Sequence, residues 1–410
     1  MTRTCDVAII GGGAAGIGAG LRLTELGRTV RIIEALPRLG GRAHTEIHNG
    51  LPLDMGCGWL HSARRNPLAA LAAARGETID HSEGAWYRQL DNIDFPAADQ
   101  RAARQAFDDL HAKLHAAPPL NDVAAEAMPA TDRWRAYADA ISSYINGVEL
   151  DQLSAADFLA YEDASTDDNW RLPDGYGTFI SGLGASLPAS LSTHANAISE
   201  HGGIVVDTDT GPIHARAVII TVSTTVLASG RIRLPASADD HLHAASKLPL
   251  GLADKVFFAL GVPDIVPAES HLLGSATRAE TASYYFRPFG RPVVECFIGG
   301  AFARSLERDG EDAAFAVTRE ELTRLMGADF VKQLTPIVAT RWAHEPTVGG
   351  SYSHALPTHA GARAVLARPV SERMIFAGEA CSAQDFSTAH GAWQSGRDAA
   401  DHIEQHLKGS

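Results

Sequence analysis

Residues 6–35, DVAIIGGGAAGIGAGLRLTELGRTVRIIEA, contain the pattern that decides the fold. The apolar run 7–10 predicts a short buried strand, and a helix follows it as far as Leu26, where Gly27 supplies a C-terminal cap. Residues 29–33 predict a second strand. A strand, a helix and a second strand in this order predict the first unit of a Rossmann-type α/β domain.

Three glycines and one glutamate predict that this unit binds a dinucleotide. Gly11, Gly13 and Gly16 give the spacing G-x-G-x-x-G at the turn from strand to helix, and Glu34 closes the second strand. Gly11 permits the tight turn, Gly13 lets the backbone approach a pyrophosphate, and Gly16 lets the helix pack closely on the strand. The helix N-terminus attracts the phosphates, and Glu34 is expected to accept hydrogen bonds from the adenosine ribose. The motif is common to NAD and FAD sites.

The composition is that of a large globular protein. The chain has 410 residues, of which 45% are hydrophobic and 20% charged, and this length allows two or three domains. Its formal net charge of −14 disfavours nucleic acid as a partner and suits a cationic small molecule.

The four cysteines are far apart, so we expect free thiols and no metal site. Because no signal-peptide pattern or membrane-length apolar run is present, we expect a cytoplasmic protein without membrane contact. The oligomeric state is not predicted.

Further motifs lie far from the first unit. The sequence GGR, which contains Gly41 and Arg42, follows the second strand closely. Residues 373–403, RMIFAGEACSAQDFSTAHGAWQSGRDAADHI, predict a strand, a glycine turn and a long helix. With LDMGCGWLH at 53–61 and RWAHEPTVGGSYSHALP at 341–357, the sequence resembles the flavin amine oxidase family, and within it the polyamine and spermine oxidases. The resemblance covers most of the chain, with gaps in its middle third.

The resemblance implies a bound FAD and the residues that hold it. Besides the glycines and the glutamate of the first unit, these are Gly41, Arg42, Gly58, Trp59, Val206, Trp342, Gly378, Glu379 and Ala389. A helix that begins near Ala389 would direct its positive end at the flavin. Family members with covalent flavin carry a cysteine before the cavity tyrosine, whereas here Ser351 precedes Tyr352. The FAD is therefore expected to be bound non-covalently.

A strand in the second half of the chain carries one lysine. Residues 251–260, GLADKVFFAL, predict a strand that is buried on both faces. In the family, a lysine on a substrate-domain strand approaches flavin N5 and holds a water molecule there. The resemblance assigns this role to Lys255. The alternative is a lysine at the rim, paired with Asp254 and exposed to solvent.

The resemblance also implies the walls of a substrate cavity. Tyr352 is expected to form an aromatic wall, Thr388 occupies the second aromatic position of many family members, and His61 faces the substrate as a largely neutral ring. The catalytic set is therefore Lys255, His61 and Tyr352. The alternatives are a buried structural tyrosine and a capping histidine. The candidate partners for a distal ammonium group are Glu345, Asp167 and Asp168.

The implied reaction is the oxidation of a neutral amine, either a polyamine or a related secondary amine. A hydride passes from the α-carbon to flavin N5, the iminium is hydrolysed to an aldehyde, and O2 reoxidises the flavin to give H2O2. The substrate must be deprotonated because an ammonium nitrogen has no lone pair to assist C–H cleavage.

The predicted domains are discontinuous. The FAD-binding domain is expected to contain residues 1–80, 172–245 and 338–410, and an inserted α+β substrate domain, with a mixed sheet flanked by helices, to contain 81–171 and 246–337. Helices are predicted after Pro96, after a cap at Thr131 with Trp134, Ala138, Ile141 and Ile145 in register, and from Asp312 to Met326.

Three other interpretations remain open at this stage. An oxidase of primary monoamines or L-amino acids would require a cavity arginine, for which Arg64, Arg65 and Arg287 are candidates. A NAD-dependent dehydrogenase would share only the first unit. A flavoprotein without activity would serve as a scaffold or binding partner.

Overall fold

The computed structural model describes residues 4–409 and confirms the predicted fold class, a Rossmann-type sheet combined with a second sheet and helices. The strands are β1 Thr4–Ile10, β2 Val30–Ile33, β3 Thr45–His48, β4 Leu51–Asp54, β5 Ala189–Ser190, β6 Ala195–Glu200, β7 Ile204–Thr208, β8 Ile213–Ile220, β9 Ala253–Leu260, β10 Ser270–Leu273, β11 Ser283–Phe286, β12 Val293–Gly299, β13 Leu334–Ala339 and β14 Met374–Phe376. The helices are α1 Ala14–Glu25, α2 Pro67–Ala74, α3 Ala97–Ala116, α4 Arg135–Asn146, α5 Ala155–Glu162, α6 Tyr176–Leu183, α7 Thr224–Ala228, α8 Asp239–Ser246, α9 Gly300–Asp309, α10 Glu311–Met326, α11 Ala328–Val331, α12 Ala362–Ala367 and α13 Ala389–Gly409.

The first sheet has seven strands in the order β5-β2-β1-β8-β7-β6, and β14 also pairs with β8. The pairs β1–β2, β1–β8, β2–β5 and β8–β14 are parallel, whereas β6–β7 and β7–β8 are antiparallel. The central strand β1 is buried over its last four residues. A parallel sheet covered on both faces requires such apolar runs, which is why the sequence predicted β1 correctly.

Helices α1 and α13 pack closely on one face of this sheet because small residues lie between them. A Cβ atom on Gly18 would lie 2.6 Å from the Trp393 carbonyl oxygen, and one on Gly396 would lie 2.0 Å from the Ala15 carbonyl oxygen. An ion pair between Arg28, in the connection that follows α1, and Glu404 on α13 has an Nε–Oε2 distance of 2.6 Å. The last helix of the chain is thereby held beside the first.

The second sheet has five strands in the order β10-β11-β12-β9-β13 and lies mainly on helices α9 and α10. All of its pairings are antiparallel, so the prediction of a mixed sheet was wrong for this part of the chain. The connections between β10, β11 and β12 are too short for a parallel crossover, which needs a dozen or more residues. Strand β9 has neighbours on both sides and is buried at every position except Ala259, as the sequence predicted.

Helix α4 begins later than the sequence predicted. Its N-cap is Trp134 and not Thr131, and the Trp134 amide donates to Oδ1 of Asp132 at 2.8 Å. Trp134 and Ala138 are buried, whereas Ile141 and Ile145 are only partly buried. The apolar face of α4 therefore contacts the protein core at one end of the helix and a cavity at the other. Helix α3 after Pro96 and helix α10 agree with their predictions within one residue.

The proposed division of the chain into two discontinuous domains remains a prediction. Within residues 4–409, the first sheet uses strands from 4–33, 189–220 and 374–376, and the second uses strands from 253–339. Among the helices of these residues, none is long and apolar enough to cross a membrane.

Candidate active site

A cavity of about 850 Å³ is lined by residues from both large sheets. One end contains Gly11, Gly13, Ala14, Glu34, Arg42, Thr193, His194, Thr221 and Val222. The middle contains Gly58, Trp59, Lys255, Trp342, Ser351, Tyr352, Gly378, Glu379, Thr388 and Ala389. The other end contains His61, Tyr137, Ile141, Tyr144, Glu162, Asp167, Asn169, Tyr285 and Phe297, and Glu295 lies beside Lys255. The structure thus brings together most of the residues that the sequence predicted.

The first end of the cavity fits a dinucleotide. Gly11 has φ +103°, and a Cβ atom there would lie 2.6 Å from Oγ1 of Thr221, so the turn requires glycine. A Cβ atom on Gly13 would find no atom nearer than 3.9 Å, which leaves open space in front of the N-terminus of α1. Glu34 is buried and accepts hydrogen bonds from the amides of Gly12 and Leu36, at 2.5 and 2.7 Å. A helix N-terminus, open space in front of it and a carboxylate nearby are the features that bind phosphates and a ribose.

An arginine–glutamate pair joins two motifs that are far apart in sequence. Arg42 Nη1 donates to Oε1 of Glu379 at 3.0 Å and also to the carbonyl oxygen of Ser351. Glu379 additionally accepts hydrogen bonds from Oγ of Ser353 at 2.6 Å and from the Ser387 amide at 3.0 Å. Burial alone would raise the pKa of Glu379, but the charge of Arg42, with that of a second arginine and these hydrogen bonds, outweighs it and lowers the pKa. The carboxylate is therefore ionised and fixes the arginine at the cavity wall.

Lys255 lies inside the cavity and not at an exposed rim. Its side chain is 7% exposed, and Nζ lies 2.8 Å from Oε1 of Glu295 and 2.9 Å from the carbonyl oxygen of Asp54. The rim alternative, in which it pairs with Asp254, is wrong because Asp254 accepts hydrogen bonds from Thr340 and the Trp342 amide. A buried ammonium group is retained because a carboxylate and a carbonyl compensate the loss of water.

The register of the second sheet explains why Lys255 meets Glu295. Lys255 on β9 is opposite Phe297 on β12, and Glu295 is opposite Phe257. Side chains two residues apart on one strand share a face, so Glu295 is the diagonal neighbour of Lys255. The same face continues into Tyr285, which is opposite Glu295 on β11. One face of the antiparallel sheet therefore forms a wall of the cavity, and the other face forms the core.

His61 is held by an amide side chain at the cavity wall. Its Nδ1 lies 2.7 Å from Oδ1 of Asn169, so Nδ1 carries the proton in this arrangement and Nε2 is left as an acceptor. Burial lowers the pKa of His61, and the hydrogen bond to Asn169 only partly opposes this effect. The ring is therefore neutral at neutral pH, which is the protonation state that the sequence analysis required.

The two other predicted substrate residues also line the cavity. The hydroxyl of Tyr352 donates to the carbonyl oxygen of Tyr144, and burial raises its pKa, so the phenol stays neutral. Thr388 serves as a cap: its Oγ1 accepts from the Gly391 amide at 3.0 Å and donates to the Asp385 carbonyl oxygen at 2.6 Å. This threonine sets the direction of the first turn of α13, so the N-terminus of that helix faces the cavity.

Some predicted residues do not line the cavity. Val206 is fully buried in β7, whose backbone pairs with both β6 and β8. The structure therefore does not support the predicted contact of Val206 with FAD. Gly16 lies beneath the turn, where a Cβ atom would approach the Gly11 carbonyl oxygen to 2.0 Å. Among the candidate side chains for charged substrate groups, Asp167 lines the cavity, whereas Glu345, Asp168, Arg64, Arg65 and Arg287 do not.

Sequence reasoning missed several polar residues of the cavity. Glu295, Asn169 and Glu162 line it, and so does Arg104. Burial, with a smaller contribution from the neighbouring Asp163, raises the pKa of Glu162 to about 7. A lone glutamate within the apolar segment VVECFIG was a usable signal for Glu295, because a carboxylate in a buried strand requires a partner. Nothing in the sequence gave the strand register that supplies this partner.

Comparison with known proteins identifies the family. The family model described as flavin containing amine oxidoreductase matches residues 115–404. The chain belongs to this family. A second family model, for an NAD(P)-binding Rossmann-like domain, matches residues 9–74, which contain the glycine motif.

Individual relatives of this flavin amine oxidoreductase are distant. It is 27% identical to polyamine oxidase 4 of Oryza sativa subsp. japonica over 98% of this chain and 89% of that protein. It is also 27% identical to lysine-specific histone demethylase 1 homolog 2 of Arabidopsis thaliana, over 98% of this chain but 59% of that protein. A solved structure from a redesign of cofactor binding in putrescine oxidase has a TM-score of 0.77 at 18% identity, covering 98% of this chain and 99% of that one. This last likeness concerns the fold alone.

The chain is therefore an oxidoreductase that acts on amines and uses FAD. The open space before α1, the buried Glu34 and the Arg42–Glu379 pair fit that cofactor, and the alternative of a NAD-dependent dehydrogenase is excluded by the family. When bound, FAD would supply the electron acceptor for oxidation of the amine.

Proposed function

We propose that this flavin amine oxidoreductase oxidises a polyamine or a related secondary amine at the carbon beside a neutral nitrogen. The products are an aldehyde and a shorter amine, and O2 is the electron acceptor that is converted to H2O2. The FAD is held non-covalently, because the residue before Tyr352 is Ser351, whose hydroxyl is bonded to the backbone of Ala253. The observation that carries this proposal is the ion pair in the cavity between the buried Lys255 and the partly buried Glu295.

Lys255 is suited to holding a water molecule at the reacting centre. Its ammonium group has three donor hydrogens, of which Asp54 and Glu295 account for two. The third hydrogen can bind a water molecule within the cavity. The positive charge of the ammonium group also stabilises an oxygen atom that becomes negatively charged during the reaction. Glu295 fixes the ammonium group from the neighbouring strand β12.

The neighbouring residues orient a neutral amine. His61 offers an unprotonated Nε2 that can accept a hydrogen bond from the substrate nitrogen, because Asn169 occupies its other nitrogen. Tyr352 and Tyr144 provide aromatic surface, and their hydrogen bond fixes the ring of Tyr352. A neutral His61 also avoids repulsion of a second, cationic amine group of the substrate.

The far end of the cavity supports a substrate with more than one amine. Glu162 and Asp167 line this end, while Ile141, Ile145 and Phe297 provide apolar surface along the way. A chain of methylene groups between two nitrogens suits such a wall, because the apolar part packs and the distal ammonium group approaches a carboxylate.

A second candidate is the oxidation of an amine that carries a carboxylate. Arg104 also lines the cavity, and a guanidinium group is the side chain that binds a carboxylate in a bidentate manner. Release of peroxide should be measured with spermine, acetylated spermine, tyramine and L-amino acids. Turnover of the first two supports the polyamine proposal, and turnover of L-amino acids alone would contradict it.

The same assay tests whether the protein is a scaffold without activity. Peroxide release that depends on substrate and is abolished in Lys255→Met excludes that alternative. If purified holoprotein with full flavin absorbance released no peroxide with any of these amines, the proposed function would be wrong.

A further inference from the structure

Three side chains on the surface direct their donor atoms at one point. His111 and His115 lie on α3, and Asp163 is the residue that directly follows α5. Oδ1 of Asp163 lies 3.0 Å from Nε2 of His111 and 2.9 Å from Nε2 of His115. Donor atoms of the three side chains all lie within 4.8 Å of one another.

Helical spacing and packing fix this arrangement. The two histidines are four residues apart, which puts them on the same face of α3, and their ring centroids are 4.8 Å apart. The ring of His111 also contacts the ring of Phe158 on α5, at a centroid distance of 6.2 Å. Beneath them, Leu110, Leu114 and Phe158 are almost fully buried between the two helices. The cluster therefore lies on two elements that are already packed together.

We propose that His111, His115 and Asp163 bind a divalent transition-metal ion, with zinc as the reference ion. Two imidazoles and one carboxylate are a typical ligand set for zinc, whereas magnesium and calcium prefer oxygen ligands alone. Ligands of a tetrahedral zinc ion lie about 3.3 Å apart. The 2.9 and 3.0 Å separations from Asp163 require a small expansion, and the donor atoms of the two histidines already lie within 4.8 Å of each other. The spacing of the cysteines predicted no metal site, whereas this cluster contains no cysteine and depends on two histidines four residues apart.

The ion would join α3 to α5 at the cavity side of the fold. Asp163 directly follows Tyr161 and Glu162, and both of these residues line the cavity. A metal bridge therefore restrains the end of a helix that forms part of the cavity wall. Because the ion binds the folded arrangement and the unfolded chain has no preformed site, zinc is expected to raise the midpoint of thermal unfolding.

The test is calorimetric titration of untagged holoenzyme, freed of metal with a chelator, with zinc chloride at neutral pH. We expect one equivalent of zinc to bind and the thermal midpoint to rise, while magnesium chloride has no effect. His115→Gln and Asp163→Asn should each weaken zinc binding by at least about tenfold, since loss of a direct ligand costs more than loss of a residue behind it.

His243→Gln is the matched control, because His243 is exposed on α8 and lies outside the cluster. This variant should bind zinc as the unsubstituted protein does. Flavin absorbance and circular dichroism report whether each variant is folded. Absence of stoichiometric zinc binding, or binding that is equally tight in His115→Gln and Asp163→Asn, would overturn the proposal whether or not the protein oxidises polyamines.

Discussion

At the scale of single residues, the chemistry of the site depends on a buried lysine that is paired with a partly buried glutamate. Lys255 has one carboxylate, that of Glu295, within 3 Å, and the sheet register holds the two side chains on one face. Removal of either partner leaves the other as an uncompensated charge in the cavity, which costs more than the loss of a surface ion pair. The pair therefore has both a structural and a catalytic consequence.

Lys255→Met is expected to lower kcat/KM for the amine about 100-fold or more, the range typical of a group that assists proton transfer. Glu295→Gln keeps a hydrogen-bond acceptor but removes the charge, and we expect a smaller loss of about tenfold. Steady-state peroxide release and anaerobic flavin reduction provide the measurements. Lys332→Met is the control, because Lys332 is exposed and forms its ion pair with Asp329, three residues away in sequence. Equal activity of Lys255→Met and Lys332→Met would contradict the role of Lys255.

A buried histidine should make the stability depend on pH. Burial lowers the pKa of His354 to about 4, so the folded protein keeps this ring neutral while the unfolded chain binds a proton near pH 6.5. The unfolded state then binds more protons in this interval, and stability falls as the pH falls from about 6.5 towards about 4. In His354→Gln the decrease in thermal midpoint between about pH 7 and about pH 5 should be smaller. His243→Gln, an exposed control, should follow the unsubstituted protein, and an unchanged pH dependence in His354→Gln would refute this prediction.

At the scale of elements, a close backbone contact between α1 and the turn before it positions the N-terminus of α1 at the dinucleotide end of the cavity. The turn between β1 and α1 leaves no room for a side chain at Gly16, because a Cβ atom would lie 2.0 Å from the Gly11 carbonyl oxygen. This contact, rather than any contact with a ligand, is the reason that the third glycine of the motif is required. It was foreseen from sequence because the spacing of the motif is local.

Gly16→Ala is expected to displace α1 from β1, to lower stability by about 1–3 kcal/mol and to weaken the binding of FAD. Gly182→Ala in α6 is the matched control. A Cβ atom at Gly182 would meet nothing within 4 Å, so alanine there should stabilise the helix by about 0.5–1 kcal/mol. Thermal unfolding and the ratio of flavin to protein absorbance measure both effects. Normal flavin content in Gly16→Ala would show that the turn can adjust.

A buried ion pair joins α5 to α12. Nε of Arg363 lies 2.7 Å from Oδ1 of Asp157, and both side chains are at most 4% exposed. Asp157→Asn leaves the guanidinium group without its counter-charge, and we expect a loss of about 3–5 kcal/mol in the free energy of unfolding. Asp329→Asn breaks an exposed pair and should cost at most about 1 kcal/mol. Denaturant unfolding of the two variants compares these costs, and similar values would contradict the structural role of the buried pair.

At the scale of the whole molecule, the fold covers its thiols to different degrees: Cys296 is buried, and the other three cysteines are partly buried. The four cysteines are all free. Burial raises the pKa of the thiols of Cys57 and Cys381 to about 12 and that of Cys5 to about 11, and it raises the pKa of Cys296 well above its ordinary value. Very little thiolate, the reactive form, is therefore present near neutral pH.

Native protein is expected to react only slowly with a thiol-specific chromogenic reagent at about pH 8, the region in which an ordinary thiol begins to ionise. After denaturation, four thiols should react rapidly. The time course of absorbance with and without denaturant gives both values. Rapid reaction of the native protein would contradict the burial, and fewer than four reactive thiols after denaturation would indicate a disulfide.

The sequence by itself determined the elements whose signals are local. Strand β1, helix α1, the strand that carries Lys255 and the long C-terminal helix were predicted because hydrophobic periodicity and glycine spacing are read within one segment. The start of α4 was misplaced for the same reason: Thr131 is a good cap locally, but the chain enters the helix only at Arg135. Resemblance to a family added the cofactor and a set of residues around it, most of which line the cavity.

Only the tertiary structure decided which of these residues meet. Glu295 is the partner of Lys255 because β12 pairs with β9 in one particular register, and a shift of one residue would turn Glu295 to the opposite face. Val206 was assigned to the cavity, but the strands on both sides of β7 enclose it. Contacts between distant segments depend on strand order, register and helix packing, and these are set by the burial of the whole chain and not by any one stretch of it.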